Sequence, residues 1–129
     1  MRLGYVIVYV PDVAAALAFY TRAFGFERRF VSPGGEYGEL ETGATALGFV
    51  AEAFIGQSGL KFRPHRTGET PAATEIGLVT EDVEAAITKA IAAGATLAKP
   101  AERKPWGQIV GYVTDPNGVL IELCTAMGG

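Results

Sequence analysis

Apolar and polar positions along this chain fall into two kinds of pattern, short runs of period two and two longer stretches with helical spacing. Leu3 to Val10 is the first period-two run, with Val6, Val8 and Val10 on one face and Leu3, Tyr5, Ile7 and Tyr9 on the other. Both faces are apolar, so both are expected to be covered. Pro11 and Asp12 end the strand, and Asp12 is placed to cap a helix whose stripe is Val13, Ala16, Leu17, Tyr20 and Phe24. Gly25 is its stop signal. Strands are predicted at Glu27 to Val31, Tyr37 to Glu41 and Thr45 to Val50, separated by Pro33-Gly34-Gly35 and by Thr42-Gly43. The order is β-α-β-β-β.

The same pattern then returns. Tyr5 to Ala16 reappears as Glu75 to Ala86 at a constant offset of 70 residues, so that Asp12 meets Asp82 and Val13 meets Val83. The second stripe is Val83, Ala86, Ile87, Ala90 and Ile91, stopped by Gly94, and strands follow near Thr96 to Lys99, Ile109 to Asp115 and Val119 to Thr125. Asp115-Pro116-Asn117-Gly118 is a strong turn signal between the last two. Residues 51 to 72 carry several Gly and Pro and no sustained period, and read as a connector with a short helix near Glu52 to Ile55. The expected organisation is a single α+β domain over residues 1–129, with modules at 1–50 and 73–129 and a shared cleft between them.

Charge and composition narrow the function classes. A net charge of −3 and a pI near 5.1 argue against a nucleic-acid partner, which would require clustered excess Lys and Arg. Cys124 is the sole cysteine, so no intrachain disulfide forms, and a reducing, cytoplasmic setting is the expectation. Its apolar neighbours favour a buried, inert thiol. The N-terminus has no extended apolar segment, and no membrane insertion is expected. His65, the one histidine, lies in the connector and reads as a surface residue. Glu122 is the anomaly. It stands between Leu120, Ile121, Leu123 and Cys124, where a carboxylate is unfavourable unless solvated, paired or neutral.

The opening YVIVYVPDVAAALAFYTRAFGFE and the closing VGYVTDPNGVLIEL resemble the vicinal oxygen chelate superfamily, which groups glyoxalase I, bleomycin resistance proteins, fosfomycin resistance enzymes and extradiol dioxygenases. The resemblance covers nearly the whole chain. It implies two tandem βαβββ modules whose curved mixed sheets form a cup, often completed in a homodimer. In metal-dependent members, His or Gln, Glu, His and Glu lie on the first and last strand of each module. The matching positions here are Tyr5, then Leu47 or Gly48, then Glu75 and Glu122. Phenols ionise only near pH ~10, so Tyr5 is a poor ligand at neutral pH. Two carboxylates without a histidine do not make a usual site for Zn²⁺, Ni²⁺ or Fe²⁺.

The reading carried forward is a metal-free, small-molecule-binding protein of the bleomycin-resistance type, with no cofactor. Its expected ligand is planar or cationic, held by Tyr5, Tyr9, Tyr37, Glu75, Trp106 and Glu122. Trp106, in Lys104-Pro105-Trp106-Gly107, is either a lid over a pocket or a plug on the core. The alternative is a lyase or isomerase using Glu75 and Glu122, with a divalent metal or as an acid–base pair. A third reading, an interaction module, expects those glutamates to be exposed or paired with Arg28, Arg29 or Lys104.

Overall fold

The structure is a computed structural model and describes residues 1–128. The chain divides into two compact units, one from Met1 to Pro64 and one from His65 onwards. In the first, β1 (Tyr5–Val10) leads into α1 (Val13–Phe24), followed by β2 (Arg28–Val31), β3 (Tyr37–Leu40), β4 (Ala46–Ala51) and the short α2 (Glu52–Gly56). Its sheet has the order β1-β4-β3-β2, with β1 parallel to β4 and the other pairs antiparallel. The side chain of Asp12 accepts from the Ala15 N–H at 3.1 Å, and Gly25 takes the left-handed conformation that ends the helix.

The helix covers one face of the sheet. Val13, Ala16, Leu17, Phe19, Tyr20 and Ala23 are buried on α1, and Val8, Val10, Leu40, Leu47 and Phe49 are buried on the strands. The larger of these, the Val, Leu and Phe side chains, contribute roughly 1.5–3 kcal/mol each when fully removed from water. Aromatic edges tie the layers together, with the Tyr20 and Phe49 rings 4.9 Å apart. Gly38 sets the spacing. A Cβ there would lie 2.6 Å from Leu17 Cδ1, so a side chain at this point would push the helix off the sheet.

The second unit repeats the plan with β5 (Glu75–Val79), α3 (Val83–Ala93), β6 (Thr96–Arg103), β7 (Ile109–Thr114) and β8 (Leu120–Cys124), in the order β5-β8-β7-β6. Asp82 caps α3 through the Ala85 N–H at 3.0 Å. Gly111 does here what Gly38 does in the first unit, since its Cβ would lie 2.6 Å from Ile87 Cδ1. The expected turn is present. One Asp115 carboxylate oxygen accepts from the Asn117 and Val119 N–H groups at 2.8 and 2.9 Å.

Three features depart from the sequence pattern. The second face of the first strand, expected to be covered because it is apolar, leaves Leu3, Tyr5 and Ile7 exposed, since α1 covers only the face of Val8 and Val10. The sixth strand was expected to stop at Lys99, before Pro100, but β6 continues to Arg103. It lies at the sheet edge and its pairing is irregular on both sides of Lys99, so Pro100 has no ladder bond to donate. Ile91, expected on the buried stripe of α3, is exposed. Among the described residues no helix is long and apolar enough to cross a membrane.

Candidate functional site

With one helix on each sheet, the opposite face carries every second residue of each strand, and cross-strand register decides which of these meet. In the second module Gly77 pairs with Glu122, Tyr112 pairs with Glu122, and Glu75 pairs with Leu120. Glu75, Gly77, Glu122, Cys124 and Tyr112 therefore share the face away from α3. The Tyr112 hydroxyl donates to Glu122 Oε1 at 3.1 Å. Glu122 Oε2 lies 3.7 Å from where a Cβ on Gly77 would stand, so the missing side chain leaves the carboxyl room to lie along β5.

The Glu75 and Glu122 side chains are neighbours on this face, placed to share a hydrogen bond. Two carboxyl groups form such a bond only with a proton between them. Partial desolvation of the Glu75 carboxyl is the leading cause that raises its pKa above the ordinary carboxylate range, followed by the hydrogen bond and the charge of Glu122. Glu75 is an exposed residue, so solvent moderates the effect. Desolvation, the bond to Glu122 and the two acidic charges also raise the Tyr112 phenol. The buried Cys124 thiol is pushed up to about 11 by desolvation first and Glu122 second, which leaves it a poor nucleophile at neutral pH.

The first module holds a related group. Tyr37 donates to Glu39 Oε2 at 2.7 Å, and Arg29 Nε stands 3.9 Å from both Glu39 Oε1 and Glu41 Oε2. Desolvation and then the bond to Glu39 raise the Tyr37 phenol well above its usual value, so it remains a donor. The Tyr37 hydroxyl would lie 2.6 Å from a Cβ on Gly48, and only glycine admits the ring there. Tyr5 and Tyr9 lie on the same face of this sheet, Tyr5 exposed and Tyr9 edge-on to Phe62 at 4.9 Å.

The six residues singled out by sequence thus fall into three places. Glu75 and Glu122 meet on the second sheet, and Tyr5, Tyr9 and Tyr37 stand on the first. Trp106 lies apart, in an open depression of about 600 Å³ that it lines with Val79, Glu81, Gln108 and Thr125. It is 63% exposed and its indole N–H donates to Gln108 Oε1 at 2.7 Å, so it plugs no core. Lys104 pairs with Glu102, and Arg29 with Glu39 and Glu41, rather than with the Glu75–Glu122 pair. Glu39 and Tyr112 escaped the sequence reading. Alternation places Glu39 beside Tyr37 and Tyr112 beside Val110, but only the pairing register shows which glutamate each phenol reaches.

A family model described as the Glyoxalase/Bleomycin resistance protein/Dioxygenase superfamily matches residues 2–123. The chain belongs to this superfamily. The glyoxalase/bleomycin resistance fold is seen in a glyoxalase-related enzyme from Fulvimarina pelagi, with a TM-score of 0.82 at 21% identity over 98% of this chain and 88% of that one. It is seen again in a glyoxalase/bleomycin resistance protein/dioxygenase family enzyme from Burkholderia phytofirmans, with a TM-score of 0.79 at 27% identity, covering 98% of this chain and all of that one. An uncharacterized protein of Mycobacterium bovis, Mb0911c, is 32% identical over 84% of this chain and 73% of its own length. For a Mycobacterium tuberculosis relative, Rv0887c, the share of its length is 65%.

The metal that the superfamily implies does not fit this chain. The parallel register pairs Ile7 with Gly48 as it pairs Gly77 with Glu122, so the second metal position is Gly48, while Leu47 is buried on the helix side. Gly48 has no ligating side chain, and Tyr37 fills the space above it. Among the described residues, no three His, Cys, Asp or Glu side chains are grouped to hold a metal ion. Two carboxyl groups and a phenol, with no histidine or thiolate donor free to join them, are not the usual donor set for Zn²⁺, Ni²⁺ or Fe²⁺.

Raised in the folded chain, the Glu75 carboxyl holds its proton more tightly than in the unfolded chain. Its contribution is therefore fully present below the ordinary value of 4.5 and is lost as pH rises through the folded one. Glu75→Gln is expected to melt at a higher temperature than the parent at pH 7–8, with the gain shrinking as pH falls towards 4.5. A melting difference that does not change with pH would contradict this.

Proposed function

We propose that this superfamily member binds a small planar cation without a metal and sequesters it unchanged, on the second-module face bearing Glu75, Tyr112 and Glu122. The supporting observation is the placing of Glu75 beside Glu122 on one sheet face, with the Tyr112 hydroxyl donating to Glu122. A carboxyl that keeps its proton at rest and releases it to an arriving cation converts binding into proton displacement. Affinity for cations then rises with pH across the range in which the pair ionises.

Isothermal titration with 9-aminoacridine, in buffers of different ionisation enthalpy, tests this. Proton release on binding is expected, and Glu122→Gln should cost about 1–3 kcal/mol of affinity for the cation. The anion 9-anthracenecarboxylate should bind much more weakly to the parent. Equal affinity for both ions, unaltered in Glu75→Gln and Glu122→Gln, would make the acidic pair structural.

A second reading, a lyase or isomerase working by metal-free acid–base chemistry, draws on the raised Glu75 carboxyl beside the Glu122 carboxyl, two acids held in different environments. Recovery of the bound probe unaltered favours sequestration, while turnover abolished in Glu122→Gln favours catalysis.

The proposal includes a homodimer. Leu3 and Val6 are exposed along the edge strand β1 and its lead-in, and Val31 along the opposite edge β2. Apolar edges of this kind favour a partner copy. Sedimentation at micromolar concentration should give one species near twice 13.6 kDa. A monomer persisting at millimolar concentration would remove this part of the proposal.

A further inference from the structure

The first module bears a charged group that the preceding proposal does not use. Glu39 is 9% exposed and sits in register between Gly48 and Phe30, on the face away from α1. Its two oxygens are treated differently. Oε2 is held by the Tyr37 hydroxyl at 2.7 Å, whereas Oε1 has only Arg29 Nε at 3.9 Å, beyond hydrogen-bond reach. No solvent-buried side-chain oxygen lacks a partner among the described residues, so Oε1 must reach the surface of this face.

Arg29 is a loose occupant. It stands at the same 3.9 Å from Glu41, with its side chain 46% exposed. The surroundings are apolar and partly aromatic, since Phe30 lies across from Glu39 with its ring 6.4 Å from that of Tyr37, and Tyr5 and Ile7 stand exposed on the same face. A mostly buried carboxylate with one open acceptor, beside two neighbouring aromatic rings, is complementary to an N–H-bearing cation attached to a flat ring. The guanidinium of Arg29 has that charge and those donors, held without a direct hydrogen bond.

We infer that the first module carries its own binding site for an aryl amidinium or aryl ammonium ion. The cation pairs with Glu39 Oε1 in place of Arg29, and its ring packs against Phe30 and Tyr37. Tyr37, lying over Gly48, acts as a positioning residue that fixes the carboxylate. The site rests on the first module alone, so its failure leaves the reading of Glu75 and Glu122 intact.

Benzamidine is the probe, with benzamide and benzoate as neutral and anionic analogues of the same shape. Titration followed by the ring resonances of Phe30 and Tyr37 should show benzamidine shifting both, with benzamide and benzoate at least tenfold weaker. Glu39→Gln, which keeps an oxygen for Tyr37 to donate to, should lose about tenfold or more in affinity at this site. Arg29→Ala should tighten binding several-fold by removing the competing cation, and it carries the test if the Glu39 variant does not fold. Glu122→Gln should leave these shifts unchanged. Benzoate binding as well as benzamidine, an Arg29→Ala variant that binds no better, or loss of the shifts in Glu122→Gln would overturn the assignment.

Discussion

A four-stranded sheet has two faces, and each module of this chain supplies one full helix to cover them. The helix takes the face that presents Val8, Val10, Leu40, Leu47 and Phe49 in the first module, and Val113, Ile121 and Leu123 in the second. Gly38 and Gly111 let each helix come close enough to exclude water from that side. The other face is left with residues that the core does not constrain. Polar groups there are compatible with the fold, provided that each finds a donor or acceptor.

Both modules meet that condition with a tyrosine and a glutamate, but not at equivalent places. Gly38 corresponds to Gly111, so Glu39 occupies the position of Tyr112, and Gly48 occupies that of Glu122. One carboxylate sits at the same level of each sheet, on β3 in one module and on β8 in the other. In each case a glycine lies beneath the polar group, Gly48 under the Tyr37 ring and Gly77 beside Glu122. The acid of the first module thus takes the place of the second module's phenol, while its own phenol, Tyr37, stands at the position of Val110.

The repeat of Tyr5 to Ala16 at Glu75 to Ala86 made the two modules legible, because capping aspartates and period-two strands are local signals. The strands β1 and β8 were readable as strands, but not which face of β1 is buried, because both its faces are apolar and only Val8 and Val10 are fully covered. Cross-strand register was not readable either. Whether the glutamate position of the first module falls on Leu47 or Gly48 depends on pairing between β1 and β4, and no local pattern carries that information. The partners of Glu122 and Tyr37 were hidden for the same reason. The full length of β6 was hidden too, because a strand runs through Pro100 only where it lies at a sheet edge, and sequence alone does not show edges. Trp106 was visible as a large ring on a Gly/Pro-bounded loop, but the depression that it lines is made by residues distant in sequence, Val79 to Glu81 and Thr125.

Glyoxalase/bleomycin resistance superfamily members share a scaffold whose chemistry is set by a few side chains on the strands. In this chain those positions hold Glu75 and Glu122, and the account stands or falls on a proton shared between them. Its most direct test is a pH titration of the Glu75 side-chain carboxyl by ¹³C NMR, alone and with equimolar Zn²⁺. The Glu75 resonance should titrate above the ordinary 4.5, return towards it in Glu122→Gln, and be unmoved by Zn²⁺. An ordinary titration unaffected by Glu122→Gln, or a carboxyl held ionised once Zn²⁺ is added, would contradict it.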